Sequence, residues 1–450
     1  MNMSKTIAAL ATPPGSSGIA VIRISGPEAV NIADVHFAGR KSLAEAASHT
    51  IHYGKFIANG AIVDTITASI FLAPNSYTGE NVVEISSHGS IVVYEEILRN
   101  LLSSGASMAK PGEFTERAFL NGKMDLIQAE AVADLISSVS IFSEHASARQ
   151  VSGEFTSRIK EFKQRLIDIA SLLELELDFA EEDLEFISQQ KIKQDIELNY
   201  DFIQSLIDSY QASQITRSGY YVALVGFPNT GKSTLFNSLL KRERAIVSHI
   251  PGTTRDYLEE FLYLNGIPVK LFDTAGLRDS DDIIEIEGIK LVNSILNQAN
   301  MICILNDASV SENLSNNLYN KLSKEYSSKK IIIVQNKMDL YTGNDLPEDQ
   351  IKISAKFGND LTSLTAFIES EARKSTERIN DILLNQRQYL ILQDVKSLLM
   401  NSISSIDDEM DNSFIAFDIR NAIRKLGEFT GEIYSEDILN NIFTKFCIGK

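Results

Sequence analysis

The sequence predicts a multidomain protein with α/β and α parts: an N-terminal α+β domain, a discontinuous helical domain, and an inserted Ras-like P-loop domain with a doubly wound sheet. Three observations predict it. Tyr221–Gly226 is an apolar run of strand length that breaks into a glycine loop and reopens at Lys232 with helical apolar spacing. Long stretches on either side of that domain read as helix and nothing else. At 450 residues the chain is too long for one ordinary domain. The expected boundaries are 1–120, 121–215, 216–375 and 376–450, with the second and fourth segments forming one helical domain.

Composition bounds the function. A hydrophobic fraction of 44% with 23% charged residues is that of a globular protein with sizeable cores. The net charge of −18 argues against non-specific nucleic-acid binding over the whole surface, though not against a local basic patch. The two cysteines, Cys303 and Cys447, offer no disulfide framework or metal spacing, which fits a reducing cytosol. No apolar run approaches the roughly 18 residues of a membrane-spanning helix. Met1–Thr6 lacks the layout of a signal peptide, so a cytoplasmic location is expected.

In the first segment, Ile19–Gly26 reads as a strand followed by a helix opened by Pro27. Asn59-Gly60 between two apolar runs is a hairpin signal. Val82–Ser86 is another strand, and residues 91–102 read as a helix ended by Gly105. Three polar clusters interrupt these elements: Thr12–Gly15, Ser76–Glu80 and Lys110–Lys123. From spacing alone they read as turn chemistry, because Gly, Pro, Asn and Ser are what turns require. Arg23 inside an apolar strand lies either on a solvated face or paired in a pocket.

From about 124 to 215 the pattern is helical, with Phe162, Leu166, Ile169, Leu173 and Leu177 forming a core stripe. The acidic group Asp178, Glu181, Glu182, Asp183 and Glu185 reads as a solvated helix face rather than a metal site. Helical patterning returns after about 376.

Residues 216–375 carry the chemistry. Gly226–Ser233 fits G-x-x-x-x-G-K-[ST] in strand–loop–helix context. Glycine lets backbone N–H groups wrap a phosphate, and the helix start presents free N–H groups to the anion. Lys232 is expected to neutralise the β- and γ-phosphates, and Ser233 to bind Mg²⁺. Asn229, Thr230, Gly231 and Thr234 complete the loop. The next loop, Ser248, His249, Ile250, Pro251, Gly252, Thr253 and Thr254, is expected to bind nucleotide, and a threonine in Gly252–Asp256 can close over Mg²⁺ and the γ-phosphate. The strand Val269–Phe272 runs into Asp273, Thr274, Ala275 and Gly276; Asp273 would reach Mg²⁺ through water and the Gly276 N–H would sense the γ-phosphate. Ile331–Val334 leads to Asn336, Lys337 and Asp339, where Asp339 can accept from guanine N1 and N2. Ser354 and Ala355 would meet guanine O6 through the backbone. Four such pieces in order after the phosphate loop, each at a strand end, define a guanine-nucleotide domain with GTP as substrate.

Ras-type switches orient the attacking water with a glutamine after Asp-x-x-Gly, and Leu277 stands there instead. Hydrolysis must recruit another residue and another charge. Asn229 and the 248–254 loop can offer oxygen atoms to an extra cation.

Several further motifs carry a specific resemblance: Thr12–Gly15, Tyr77–Glu80, Pro111–Phe119, Gly252–Asp256, Asp273–Arg278 and the terminal Phe446–Lys450. On these the chain resembles, end to end, the MnmE (TrmE) family of tRNA modification GTPases. The resemblance implies a folate-binding, dimerising N-terminal domain in which Arg23, Glu80, Lys123 and Lys450 contact a formyl- or methylene-tetrahydrofolate. It implies K⁺ held by Asn229, Ser248, Ile250 and Thr253, Mg²⁺ held by Ser233 and Thr254, and catalysis by Lys232, Thr254 and Glu285, with Glu285 positioning the water. It further implies a homodimer, an MnmG-type FAD protein as partner in a heterotetramer, and tRNA as substrate. The product would carry an aminomethyl or carboxymethylaminomethyl group at C5 of the wobble uridine. The chain departs from the family pattern at Ser16-Ser17, where an arginine and a glycine are common, and at Ser87 and Ser90, where a cysteine and a glycine are common. The first departure removes a positive charge near the expected folate site.

Cys447–Lys450 has the length of a prenylation box, but a terminal lysine and a helix-like lead-in argue against lipidation. A ribosome-assembly GTPase of the Era or Der kind is the rival reading. Those proteins share the nucleotide motifs but carry a basic RNA-binding module, whereas the flanks here are acidic and helical.

Overall fold

The computed structural model describes residues 5–138, 140–178, 188–242, 259–273, 293–310, 314–343, 346–347, 350–376 and 382–450. The chain forms two compact units, one of Met1–Ile136, Ala148–Tyr200 and Asp394–Lys450, the other of Ser137–Ser147 and Asp201–Gln393.

The first unit opens with β1 (Ile7–Leu10), β2 (Ser17–Ser25), α1 (Ala29–Val35), β3 (Phe37–Gly39), β4 (Thr50–Ala58), β5 (Ala61–Phe71), β6 (Val82–Gly89), α2 (Ile91–Ser103) and β7 (Ser107–Met108). They make a sheet of order β3-β4-β5-β6-β2-β1-β7. All pairings are antiparallel except the short β1–β7 contact. The β4–β5 hairpin turns at Asn59 and Gly60, both with positive φ, as that dipeptide predicts. The α1 helix starts two residues after Pro27, with Glu28 at its cap position. One sheet face is apolar: Ile22, Ile24, Phe56, Ile66, Ile70 and Ile85 pack with Ala29, Ile32, Ile97 and Leu101 of the two helices. Strand alternation therefore turns Arg23 and Glu84 to the opposite face.

Helices follow as α3 (Glu113–Leu120), α4 (Leu126–Ile136), α5 (Ile141–Val151), α6 (Glu154–Asp178), α7 (Gln189–Asp208) and α8 (Tyr210–Ser218). The predicted stripe of α6 is buried at Phe162, Leu166, Ile169 and Leu173. Glu181, Glu182, Asp183 and Glu185 lie outside the described residues.

The second unit holds β8 (Tyr220–Gly226), α9 (Lys232–Arg242), β9 (Glu259–Leu264), β10 (Ile267–Asp273), β11 (Met301–Asp307), α10 (Leu314–Glu325), β12 (Lys330–Asn336), β13 (Ile351–Lys352) and α11 (Leu361–Thr376). The sheet order is β13-β12-β11-β8-β10-β9. It is parallel except for β9, which makes an antiparallel hairpin with β10. One face packs Leu235, Phe236 and Leu239 of α9 with Leu361, Leu364 and Ile368 of α11. The other packs Val225, Ile302 and Ile304 against Leu322 and Tyr326. Apolar burial on both faces makes this a doubly wound sheet, which is why its strands read as continuous apolar runs. Cys303 sits in that core, and burial pushes its thiol up to about 12.

The chain ends with α12 (Gln386–Asp407), α13 (Asn412–Thr430) and α14 (Glu436–Phe443). Among the described residues no helix is long and apolar enough to cross a membrane.

Candidate functional sites

The strand β8 leaves the sheet between its neighbours β10 and β11, the point where the chain order reverses, and open α/β sheets bind ligands there. The loop after it is shaped by Asn229 at φ +63 and Gly231 at φ +93. A Cβ on Gly231 would stand 2.4 Å from the Asn336 side-chain nitrogen, so glycine is required by space as well as by φ. Lys232 is buried, and its ammonium donates to the carbonyls of Gly226 at 3.0 Å and Phe227 at 2.9 Å. The Thr230 hydroxyl also donates to Phe227 O, at 2.9 Å. Lys232 thus lies folded along its own loop at the start of α9. Thr234 is exposed on the first turn of that helix.

Asp273 ends β10, parallel to β8. Its Oδ2 accepts from the Ser233 hydroxyl at 2.8 Å, and Asp273 is 7% exposed. A hydroxyl and a carboxylate meeting at a helix N-terminus are hard oxygen donors of the kind Mg²⁺ takes, so these residues fit that ion.

Asn336 ends β12 and is 2% exposed. Its amide donates to Thr230 O at 2.8 Å, while its carbonyl accepts from the Ala355 N–H at 2.9 Å. One side chain therefore ties the phosphate loop to the Ser354–Ala355 loop. Asp339 accepts from the Ser354 hydroxyl, and the Met338 N–H donates to Ile353 O at 3.2 Å. Lys337, at φ +63, reaches Asp307 at the end of β11. Asn229, Thr230, Gly231, Lys232, Ser233, Asp273, Asn336, Lys337, Asp339, Ser354 and Ala355 all lie at the carboxyl edge of the one sheet. Ser248, His249, Ile250, Pro251, Gly252, Thr253, Thr254, Thr274, Ala275, Gly276, Leu277 and Glu285 lie outside the described residues.

The N-terminal candidates form a second constellation. Arg23 pairs with Glu84 at 2.8 Å and lies over the rings of Tyr77, at 5.3 Å, and Phe114, at 5.6 Å. Its Nη1 is buried with no hydrogen-bond partner among the described residues. Such an orphan donor costs free energy unless a ligand oxygen or nitrogen meets it. Half-burial first, and the Arg23 charge second, hold the Lys450 ammonium below its usual range, against the pull of Glu84 and Cys447. The chain places Gly449 against Leu10, the register partner of Ile22, and so brings Lys450 and Arg23 into the same neighbourhood. A cationic pair beside two aromatic rings, with an unmet donor, fits a planar ligand bearing acceptors and negative charge.

Glu80 is placed differently. It accepts from Ser25 at 2.7 Å and from Arg117 Nη1 through both oxygens, at 3.1 and 3.2 Å. Arg117 also donates to Glu113 at 2.8 Å and to Lys5 O at 2.9 Å. The exposed Lys123 donates to Pro74 O at 3.1 Å, and its stem packs near Gly79. Glu80 and Lys123 therefore flank the 74–80 loop whose Tyr77 lies under Arg23. Sequence reasoning gave no site role to Glu84, nor to Phe114 and Arg117, which it quoted only within the motif Pro111–Phe119. The signal at Glu84 was a charge inside an apolar strand, and at Phe114 and Arg117 it was the motif itself.

Comparison with known proteins covers nearly the whole chain. Residues 6–123 match the family model described as GTP-binding protein TrmE N-terminus, and residues 126–447 match the MnmE helical domain. A tRNA modification GTPase MnmE of Flavobacterium johnsoniae is 40% identical and is covered over 99% of each chain. That of Cytophaga hutchinsonii is 41% identical over 100% of this chain and 98% of its own. That of Christiangramia forsetii is 38% identical over the whole of both. The chain belongs to the MnmE family of tRNA modification GTPases. The two constellations lie in separate units, one around the glycine loop of residues 226–233 and the other around Arg23 with its aromatic neighbours.

Proposed function

We propose that this protein is a K⁺-dependent GTPase acting in tRNA modification: with an MnmG-type FAD protein it adds an aminomethyl or carboxymethylaminomethyl group to C5 of the wobble uridine of certain tRNAs. The observation that carries the reading is the alignment of Lys232, Ser233, Asp273, Asn336 and Asp339 at one sheet edge, in a chain whose relatives match over its full length. Residues 216–375 are the GTPase domain, residues 1–120 bind folate and dimerise, and residues 121–215 with 376–450 form the helical domain.

In the GTPase domain the roles follow from chemistry. Asp339 reads guanine N1 and N2, and the Ser354–Ala355 backbone reads O6. Lys337 flanks the base. Lys232 and the loop N–H groups of Asn229–Thr234 carry the phosphate charge. Ser233 and Thr254 would hold Mg²⁺ and Asn229, Ser248, Ile250 and Thr253 would hold K⁺; bound there, the ions would supply positive charge to phosphoryl transfer. Glu285 orients the water, the task that Leu277 cannot perform.

In the N-terminal domain a tetrahydrofolate derivative, when bound, supplies a one-carbon unit at the formyl or methylene level. Arg23 offers its unmet Nη1 and its stacked guanidinium, Lys450 adds charge, and Glu80 and Lys123 contact from the 74–80 side. A ribosome-assembly role of the Era or Der kind is not favoured, because residues 6–123 match the N-terminal model of the tRNA modification family.

The test is nucleoside analysis of tRNA from cells lacking this protein, complemented with the wild-type chain or with Lys232→Ala. The expected result is loss of the C5-modified wobble uridine, restored by the wild type alone. An unchanged nucleoside profile would refute the proposal.

A further inference from the structure

We infer that Asp307 is a positioning residue for guanine recognition: its carboxylate fixes the side chain of Lys337, so that nucleotide meets a preset base-binding loop. The inference rests on the reading of Asn336–Asp339 as the guanine-recognition stretch.

Asp307 is the last residue of β11 and is the register partner of Asn336, the last residue of β12. The chain turns at Lys337 through a left-handed φ of +63, which for a lysine is an unusual conformation. Lys337 Nζ then donates to Asp307 Oδ2 at 2.6 Å. The pair is mostly enclosed, at 30% and 16% side-chain exposure. The other carboxylate oxygen is committed as well: Oδ1 accepts from the Ser309 N–H at 3.0 Å and from its hydroxyl at 2.6 Å. The Ala308 N–H donates to Asn336 O at 2.9 Å, fastening the two strand ends together.

The arrangement has a direction. One oxygen anchors the carboxylate to its own turn, so the other is a fixed post rather than a mobile partner. Burial acts to raise the Asp307 carboxyl, but the Lys337 ammonium and the two Ser309 donors prevail and keep it below its usual range, hence ionised. A lysine has more rotamer freedom to lose than nearly any other side chain. Tying its end to Asp307 removes that freedom before the nucleotide arrives, which is how preorganisation raises affinity. The signal in sequence is an aspartate two residues after the apolar run Met301–Leu305, with Asn306 between them.

The experiment uses the full chain and a fluorescent GDP analogue, with dissociation followed by displacement. Asp307→Asn keeps the size and an acceptor for Ser309 but removes the charge. It should weaken GDP roughly tenfold, the scale of one charge-assisted hydrogen bond, and act mainly through faster dissociation. Asp307→Glu should keep most of the affinity. Lys337→Ala should weaken GDP at least as much as Asp307→Asn, and the double variant should be no weaker than Lys337→Ala alone. A merely structural aspartate would cost the same in both backgrounds, so an additive double variant overturns the inference. Affinity for GDP within twofold of the parent in Asp307→Asn, or tighter binding, overturns it too. A parent that binds ADP as well as GDP would instead remove the guanine reading itself, which separates the two failures.

Discussion

Replacing Asn336 with alanine should uncouple the two loops that frame the nucleotide. The side chain makes two neutral hydrogen bonds, to Thr230 O at 2.8 Å and from the Ala355 N–H at 2.9 Å. Both partners sit deep: Thr230 is 5% exposed and Ala355 1%. Truncation leaves one buried acceptor and one buried donor unmet, at about 1–3 kcal/mol each. Water entering the space left by the amide relieves part of this, so the lower part of the summed range, about 2–3 kcal/mol, is the expected penalty for holding the loops in binding geometry. Converted to affinity that is roughly a 30- to 150-fold weaker complex. Titration of a fluorescent GDP analogue reads it directly. Asn336→Asp is the sharper control: it keeps an acceptor for Ala355 but sets a carboxylate oxygen against Thr230 O, and should bind no better than the alanine variant. If Asn336→Ala binds GDP within about threefold of the parent, the side chain is not the tie between the loops.

The remaining expectations concern base choice, ion, water and folate. Asp339→Asn should shift preference from GTP towards xanthosine triphosphate, with about 2–3 kcal/mol lost for GTP; equal GTP affinity in variant and parent would reject the guanine assignment. GTP turnover should be faster in KCl than in NaCl at equal ionic strength, and Asn229→Ala should remove the difference; equal rates in both salts would reject the cation role. Glu285→Ala should lower turnover at least about a hundredfold with little change in nucleotide affinity, while Asp281→Ala changes neither, and equal mild effects would return Glu285 to a solvated acid. Arg23→Gln should weaken binding of 5-formyl-tetrahydrofolate by calorimetry at least about tenfold, since it removes a charged donor, without altering GDP affinity; unchanged folate binding would detach the orphan donor from that ligand.

Legibility followed the strictness of the chemistry. The phosphate-loop pattern, Asp273, Asn336, Asp339 and Ser354 stood out in the sequence because each follows an apolar run of strand length, and the structure brings them to one sheet edge. Asn59-Gly60 announced its hairpin, and Asn265-Gly266 carries the same positive-φ pair at the β9–β10 turn, where an edge strand went unread. The segment Pro111–Phe119 was less legible. Its glycine and polar residues read as a turn, yet α3 is helical with every residue from Phe114 to Phe119 buried. A helix enclosed all round has no polar face, so 3.6-residue periodicity cannot reveal it. Its charges are paired internally instead: Arg117 is 4% exposed and bonds Glu80 and Glu113. Burial first, and the nearby Glu113 second, push the Glu116 carboxyl up. The ambiguity at Arg23 was likewise resolved only by tertiary structure, which supplied Glu84, Tyr77 and Phe114 from three separate segments.

The ends of the chain explain why the first unit must be assembled from distant pieces. Gly449, at φ +96, lies so close to β1 that a Cβ would stand 2.2 Å from Leu10 O, and the Gly112 N–H donates to Cys447 O at 3.4 Å. Phe443 and Phe446 complete an apolar cluster with Phe119 and Leu126. Lys450 is thereby held beside Arg23, a position no segment near Arg23 in sequence supplies. For this to happen the chain must return to the first unit after residue 393, and the helices provide the return. On α6, Phe155 meets Phe429 of α13 edge-on at 5.9 Å, and Glu174 pairs with Arg420 at 3.1 Å. Where the chain leaves and re-enters, Lys396 lies over the Tyr200 ring at 5.7 Å and Lys193 pairs with Asp407. Exit and entry points that adjoin are the geometric condition for inserting one folding unit into another without stretching either. The nucleotide-binding segment can therefore interrupt the sequence while the helices on either side of it still pack together, and Lys450 is the one residue of the N-terminal constellation that reaches it from beyond the interruption.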